Sequence, residues 1–422
     1  MSEINSKISE TIIGSASYRG QNRKVALRAG DRFRHTYMIG KTGTGKSTLY
    51  QNMAVQDINE GHGICFVDPH GEAIDWILER IPKSRLEDVI IFDPSLEDVA
   101  PGLNLLEWST PAEQDFLASE AIQIFYKIFD PQASGIIGPQ FEHWMRNAAL
   151  TIMADPAGGT LLDIPRLFVD REFEREKRAH VTDPTVLEFW EKQMANTADF
   201  HRSEMLNYFS SKFGRFSSNQ LMSRVIGQRT SSFTFAEALA SEKIILINLS
   251  KGKIGDVNAQ MLGLILMAKL QVAVMQRAAL PASNRPPMYL YVDEFQNLVT
   301  DTFASMLSES RKYGLAVHLT NQYIAQLPEQ MRSAVLGNVG TLIAFQIGAK
   351  DAELLRTEMK PLTESDMENV PLHSYYLKTS IDGKPYEPFL VKALPPQDAL
   401  NGDGATAQLI RDYCELRYST IS

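Results

Sequence analysis

The sequence predicts an α/β fold with a mostly parallel central sheet and an all-α domain inserted into it. Three observations predict it. Apolar runs of strand length at 36–39, 63–67, 89–92, 244–249 and 288–292 alternate with segments of helical spacing, the pattern of parallel strands joined by helical crossovers. Between 105 and 239 the strand signal gives way to helical periodicity. The third observation is the string Gly40-Lys41-Thr42-Gly43-Thr44-Gly45-Lys46-Ser47-Thr48, which fits GxxxxGK[ST]. It follows the strand at 36–39 and opens a helical segment with Leu49, Met53 and Ile58 at its apolar positions, so it reads as a phosphate-binding P-loop rather than a chance glycine-rich turn. The expected domains are a basic lead-in (1–35), a nucleotide-binding domain (36–104 and 240–395), the all-α insertion (105–239) and a C-terminal helix within 396–422.

Composition narrows the function. The length of 422 residues leaves room for two to three domains, and 44% hydrophobic content fills their cores. A net charge of −9 excludes a protein that coats nucleic acid over its whole surface, so any such contact must be local, in a groove or a ring lining. Two cysteines, Cys65 and Cys414, are too few for a disulfide framework and suit a reducing cytosol. The start carries no secretory pattern. The most apolar helix-length run, 261–275, is interrupted by Lys269 and Gln271, so no membrane span is expected.

In chain order, the lead-in holds Arg19, Arg23, Lys24, Arg28, Arg32 and Arg34 with only Asp31 opposing them after Glu10, and a short strand at 25–27. A solvated hairpin rim is the default reading and phosphate contact the alternative. In the P-loop, Gly40, Gly43 and Gly45 let the backbone curl so that N–H groups face phosphate oxygens at a helix N-terminus. Thr42, Thr44, Lys46, Ser47 and Thr48 complete the nucleotide-binding set; Lys46 would reach the β- and γ-phosphates and Ser47 would ligate Mg²⁺, making ATP and Mg²⁺ the expected cofactors. The strand at 63–67 ends in Asp68-Pro69-His70-Gly71-Glu72, a polar strand end of the kind that lines a ligand crevice.

The insertion opens with helices at 113–129 and 140–154. Its last third sets Arg202, Lys212, Arg215, Arg224 and Arg229 among Tyr208, Phe209, Phe213 and Phe216. Cations neutralise phosphates and aromatics stack bases, so this stretch is the best local nucleic-acid candidate; an amphipathic helix burying its aromatics is the equal alternative. The strand at 244–249 leads to a loop, 250–255, carrying Lys251 and Lys253, and then a helix at 258–278. The run 288–292 enters Asp293-Glu294, the Walker B arrangement: Asp293 would hold Mg²⁺ through water and Glu294 would take a proton from the attacking water. A helix at 302–313 precedes the strand 315–319, which ends in Thr320-Asn321-Gln322. Gln322 is the candidate for sensing the γ-phosphate or holding the water. A strand at 341–346, a helix from about 351, a hairpin at Asp382-Gly383 and a helix at 405–418 follow.

On these residues the sequence resembles the FtsK/HerA-type P-loop ATPase superfamily and, within it, type IV secretion coupling proteins of the TraG/TraD kind. The resemblance spans nearly all of 32–392. It is carried by the P-loop, the Asp68-Pro69-His70-Gly71-Glu72 strand end, the helical insertion, Asn248-Leu249-Ser250-Lys251-Gly252, Asp293-Glu294 and Gln322. It implies a RecA-like homo-hexameric ring that translocates DNA with ATP in conjugative transfer or secretion coupling, with secretion-channel or relaxosome proteins as partners. It also implies that Arg311, at the end of the helix after Walker B, acts on a neighbour's ATP, beside Glu294, Lys46 and Gln322. A ring repeats each inward loop six times, so Lys251 and Lys253 would line a basic channel despite the acidic chain, with Lys212 and Arg215 at one mouth. Coupling proteins typically begin with transmembrane helices; with none read here, the expected location is cytoplasmic, reaching the inner membrane through partners. The alternative function is a nucleotide-dependent assembly or protein-secretion ATPase that does not move DNA. A metabolic P-loop kinase fits less well, because Glu294 activates water and no arginine-rich acceptor site is evident.

Overall fold

The structure, a computed structural model, describes residues 10–96, 100–197, 199–396 and 402–418. They form two compact units: the described parts of Met1–Phe92, Phe235–Leu249 and Ala273–Arg417, and the described parts of Asp93–Thr234, Ser250–Val272 and Tyr418–Ser422. The units part at 92/93 and 234/235, where the sequence reading placed 104/105 and 239/240, and the 250–272 segment belongs with the helical unit.

The first unit is built on an eleven-stranded sheet. Its strands in chain order are β1 (Glu10–Tyr18), β2 (Gln21–Arg28), β3 (Thr36–Ile39), β4 (Gly63–Asp68), β5 (Val89–Phe92), β6 (Ile244–Asn248), β7 (Met288–Val292), β8 (Leu315–Asn321), β9 (Thr341–Ala344) and β10 (Ser374–Lys378). The short pair β11 (Ser380–Ile381) and β12 (Lys384–Pro385) forms a separate hairpin around Asp382 and Gly383, both at positive φ, and β13 (Phe389–Ala393) completes the main sheet. The order is β2-β1-β13-β10-β9-β3-β8-β7-β4-β6-β5. From β9 to β5 all neighbours are parallel; β10, β13, β1 and β2 extend the sheet antiparallel. Strands β3, β4, β6, β7 and β8 are buried along their whole length, which is why they read as unbroken apolar runs instead of alternating ones.

The basic lead-in is therefore a β-hairpin of the same sheet. Its cations divide: Arg19 and Arg23 are exposed at the tip, each guanidinium over the Tyr18 ring, whereas Arg32 is 1% exposed. For Arg32 the solvated-rim reading is wrong. Its guanidinium donates two bonds to Asp57, at 2.6 and 2.8 Å, and others to Thr11 Oγ1 at 2.6 Å and Tyr291 Oη at 2.6 Å; it lies 3.0 Å from His318 Nε2. It also rests 4.0 Å from the centre of the Tyr289 ring. Burial works against the charge, but the Asp57 carboxylate more than offsets it, so Arg32 is held above its usual range. Burial, then Arg32 itself, pushes His318 well below the usual imidazole range, leaving it neutral and able to accept.

The second unit is helical. Helix Pro111–Phe129 starts at Thr110, whose hydroxyl accepts from the Glu113 N–H, a standard N-cap. Helices Pro139–Ala154 and Asp199–Ser217 share an aromatic cluster with it. Phe125 and Phe213 lie 4.6 Å apart, and Phe141 and Phe209 4.8 Å. Phe209, Phe213 and Phe216 are at most 2% exposed, so the base-stacking reading of these aromatics fails and they are core. Lys212 spreads its ammonium over Phe129 and Tyr208, and Arg215 is exposed; the Arg202 side chain lies outside the described residues. The expected loop at 250–255 is instead a helical turn, Lys251–Ile254, stopped by Gly255 at φ 85°. One helix among the described residues, Asp256–Ala279, is long and apolar enough to cross a membrane, and its most apolar window is 78% buried. That degree of burial marks it as a core helix.

Breaking a buried ion pair from one side leaves a stranded charge, at a cost of about 3–5 kcal/mol. Arg32→Leu and Asp57→Leu should each lower stability to urea by that amount, and the double replacement by less than their sum. Single variants within 1 kcal/mol of the parent would show that the network does not hold the sheet unit together.

Candidate functional site

Strand register brings the polar strand ends to one level. Ile39 pairs with Asn321 and with Ala344, Asp68 with Asn248, and Val67 with Val292. Gly40, Asp68, Asp293 and Gln322 therefore emerge together at the C-terminal edge of the parallel strands, where open α/β sheets bind ligands. Tyr37 Oη donates to Asn321 Oδ1 at 2.5 Å and Asn321 Nδ2 to the Tyr323 carbonyl at 2.9 Å, which fixes the chain on both sides of Gln322.

A cavity of about 440 Å³ opens there, lined by Thr42, Gly43, Gly45, Lys46, Ser47 and Thr48 from the P-loop, and by Asp293, Glu294 and Gln322. The P-loop helix, Lys46–Asn59, begins at Gly45, whose φ of 113° only glycine adopts readily. Gly40 and Thr44 support the loop instead of lining the cavity. A Cβ on Gly40 would come within 2.5 Å of Phe345 Cβ, and Thr44 Oγ1 donates to the Lys41 carbonyl at 2.7 Å.

Two side chains meet the catalytic carboxylate candidate, and a third is linked to it through one of them. Gln322 Nε2 donates to Glu294 Oε1 at 3.0 Å, Thr42 Oγ1 donates to Gln322 Oε1 at 3.2 Å, and His70 Nε2 lies 3.3 Å from Glu294 Oε1. Gln322 thus bridges the P-loop and Walker B. Glu294 itself sits at φ 46°, ψ 45°, a left-handed conformation that costs an ordinary residue about 1 kcal/mol and recurs at functional sites.

The electrostatics suit a cation and a polyphosphate. Burial, then the neighbouring Asp68 carboxylate, pushes the Asp293 carboxyl up to about 6. Burial lowers Lys46 while Asp293 and Glu294 oppose it; its ammonium donates to the carbonyls of Gly40 and Lys41 at 2.5 and 3.0 Å. The bond to Glu294 raises His70. Among the described residues no group of three or more His, Cys, Asp or Glu side chains is placed to hold a metal by itself. The oxygen set of Ser47 and Asp293 fits Mg²⁺ all the same, since that ion takes one or two protein ligands and completes its shell with water and phosphate oxygens.

Sequence reasoning singled out the strand end containing Asp68 and His70 but gave neither a role. Asp68 accepts from the N–H groups of His70 and Ala73, both at 2.8 Å, and so shapes the turn that presents His70. Tyr50 and His373 line the cavity without any sequence signal. Arg311 does not line it. It is exposed, on the turn Ser310–Tyr313 that precedes β8, whereas the P-loop follows the opposite end of the parallel β3. Lys212, Arg215, Lys251 and Lys253 belong to the helical unit.

Together the fold and the site define a RecA-like P-loop NTPase, with a mostly parallel sheet whose P-loop strand and acidic strand flank β8. Residues 287–360 match the family described as the TraM recognition site of TraD and TraG. The structure is similar to that of the bacterial conjugative coupling protein TrwBΔN70, with a TM-score of 0.59 and 14% identity over 91% of this chain and 89% of that one. It is similar also to plasmid coupling protein TrwB in complex with ADP and Mg²⁺ (0.58, 14%, 92% and 91%) and to VirB4 of Thermoanaerobacter pseudethanolicus (0.57, 16%, 93% and 98%). No curated protein sequence matches the chain. The chain resembles the TraG/TraD-type conjugation coupling ATPases, as the motifs alone imply.

The raised Asp293 carboxyl gives a signed prediction. An acid raised in the folded state favours folding below its unfolded value near 3.8, and that advantage is lost as the pH rises through about 6. Without divalent cations, Asp293→Asn should match the parent near pH 4 and exceed it by about 1–3 kcal/mol at pH 7–8, the range allowing for solvent access through the cavity. Thermal melts across that range check it, and parallel pH profiles would exclude a strained carboxylate at this position.

Proposed function

We propose that the chain is the subunit of an ATP-driven ring motor that moves DNA in conjugative transfer or type IV secretion coupling. The observation that carries the ATPase part is the Thr42–Gln322–Glu294 link, which joins the phosphate loop to the proposed base through Gln322. The coupling role is supported by the family match over 287–360 and by the similarity in fold to TrwB. Relaxosome or secretion-channel proteins are the proposed partners.

The loop's N–H groups and the N-terminus of helix Lys46–Asn59 would bind the phosphates. Lys46, whose ammonium donates to loop carbonyls, would exchange those bonds for β- and γ-phosphate oxygens. Ser47 and Asp293 would hold Mg²⁺, which supplies charge neutralisation at the phosphates when bound. Glu294 takes the proton of the attacking water, and Gln322 orients that water and reports on the phosphate side through Thr42. Arg311, on the far side of its own sheet, would serve the adjacent subunit. Lys251 and Lys253 are proposed for the channel, now as a helical turn, with Lys212 and Arg215 as further DNA contacts.

Lys46→Ala should abolish nucleotide binding, whereas Glu294→Gln should bind ATP and turn it over at least 100-fold more slowly, about the contribution of a general base. Parental turnover by Glu294→Gln would end the Walker B assignment. In the same assay Arg311→Ala should bind but not hydrolyse, and mixing it with Lys46→Ala subunits should restore activity at mixed interfaces.

DNA separates the motor from a protein-secretion or assembly ATPase. The parent's ATPase should rise with DNA, and Lys251→Ala/Lys253→Ala should keep basal ATPase, lose stimulation and show a shallower dependence of log affinity on log salt. An ATPase indifferent to DNA would favour the non-translocating alternative.

A further inference from the structure

The catalytic groups occupy one side of the P-loop. In the sheet, β3 is flanked by β8 on one side and β9 on the other, and Gln322, Glu294 and Asp68 come from β8, β7 and β4. If the reacting γ-phosphate faces those strands, as the reading above requires, the rest of the nucleotide must leave the loop on the β9–β10 side. One cavity residue comes from that side, His373, which precedes β10.

His373 has four features of a ligand contact. It ends the β9–β10 connection, immediately before Ser374 opens β10, and its ring sits beside the P-loop: a Cβ on Gly45 would lie 3.8 Å from His373 Nδ1. Its backbone is at φ 56°, a conformation that a non-glycine residue keeps only where its surroundings enforce it. Those surroundings are rigid. The Ala393 N–H donates to the His373 carbonyl at 2.9 Å, and the Ser374 N–H closes a turn onto the Pro371 carbonyl at 3.0 Å. Lastly, the imidazole is exposed and makes no hydrogen bond among the described residues, so folding alone does not account for it.

The floor is built from the same strands. Phe345, fully buried, underlies Gly40 and Gly45 and packs on Tyr375 with ring centres 5.0 Å apart. Gln51, half-buried on the P-loop helix, also lines the cavity and has no side-chain hydrogen bond among the described residues.

We propose that His373, with Gln51, forms the subsite for the ribose and base of the bound nucleoside triphosphate, so that nucleoside affinity is set by the β9–β10 connection and phosphate affinity by the P-loop. The inference rests on the nucleotide reading of the P-loop. The test is the ratio of affinities for ATP and for inorganic tripolyphosphate, both with Mg²⁺, by titration calorimetry on the full chain. His373→Ala should weaken ATP about tenfold, the size of one lost ring contact to a base, and leave tripolyphosphate unchanged. His373→Gly, which relieves the positive φ and so cannot be blamed on misfolding, should do the same. Lys46→Ala should lose both ligands together, and its failure to do so would count against the phosphate cradle and not against His373. An ATP-to-tripolyphosphate ratio equal to the parent's in both His373 variants overturns the proposal.

Discussion

The position of the P-loop depends on one buried cation. Arg32 leads into β3, Asp57 ends the P-loop helix, Tyr291 lies in the strand that delivers Asp293, and His318 in the strand that delivers Gln322. A single guanidinium bonds all three of those side chains and Thr11 of the edge hairpin as well. The four elements that meet at the nucleotide cavity are thus pinned together by a group that tolerates no unpaired carboxylate. Planar, multidentate geometry makes this an arginine site; a lysine would reach one or two of those partners.

Two clusters of enclosed charge in one unit are treated differently. Around Arg32 every strong charge is answered: the carboxylate of Asp57 accepts from Arg32 and from Tyr291, and His318 is kept neutral. Around Asp293 the opposite holds. Asp68 and Asp293 repel, the Asp293 carboxyl is raised to about 6, and Lys46 donates to backbone carbonyls instead of to either acid. Satisfied charge gives rigidity, and strained charge gives a site that gains from binding a cation and a polyphosphate.

What could be read in the sequence follows from distance along the chain. The P-loop, the Asp293-Glu294 pair and Gln322 are local patterns at strand ends, and each lies where its pattern placed it. Arg32 could not be read, because its partners are 25, 259 and 286 residues away and an arginine among arginines looks solvated. The aromatics at 209, 213 and 216 carried two compatible readings, and only the packing of Phe125 and Phe141 against them decides for core. The turn at 251–254 reads as a loop because its glycines at 252 and 255 mask four residues of helix. His373 left no trace at all, since its significance comes from strand order and from a backbone angle that residue type does not announce.

The cavity's own charge explains why a second subunit matters to the reading. Its walls hold four carboxylates, Asp68, Glu72, Asp293 and Glu294, against one lysine, Lys46. The nearby histidines are His70, already bonded to Glu294, and His373. A triphosphate brings further negative charge, which a P-loop and one lysine offset only in part, and phosphoryl transfer moves that charge toward the γ-oxygens as it proceeds. Mg²⁺ answers the charge between the phosphates. The growing charge on the far side calls for a further cation, and among the described residues lining the cavity Lys46 is the only lysine or arginine. Arg311 cannot supply it in cis, because it precedes β8 while the cavity lies past that strand's other end, roughly 20 Å away at about 3.3 Å per residue. Arg311 is exposed on its own subunit, and in the closed ring proposed above it would reach a nucleotide through the neighbour's cavity. On the proposed ring, hydrolysis would then wait on assembly, with Arg311 of one subunit completing the charge at its neighbour's site.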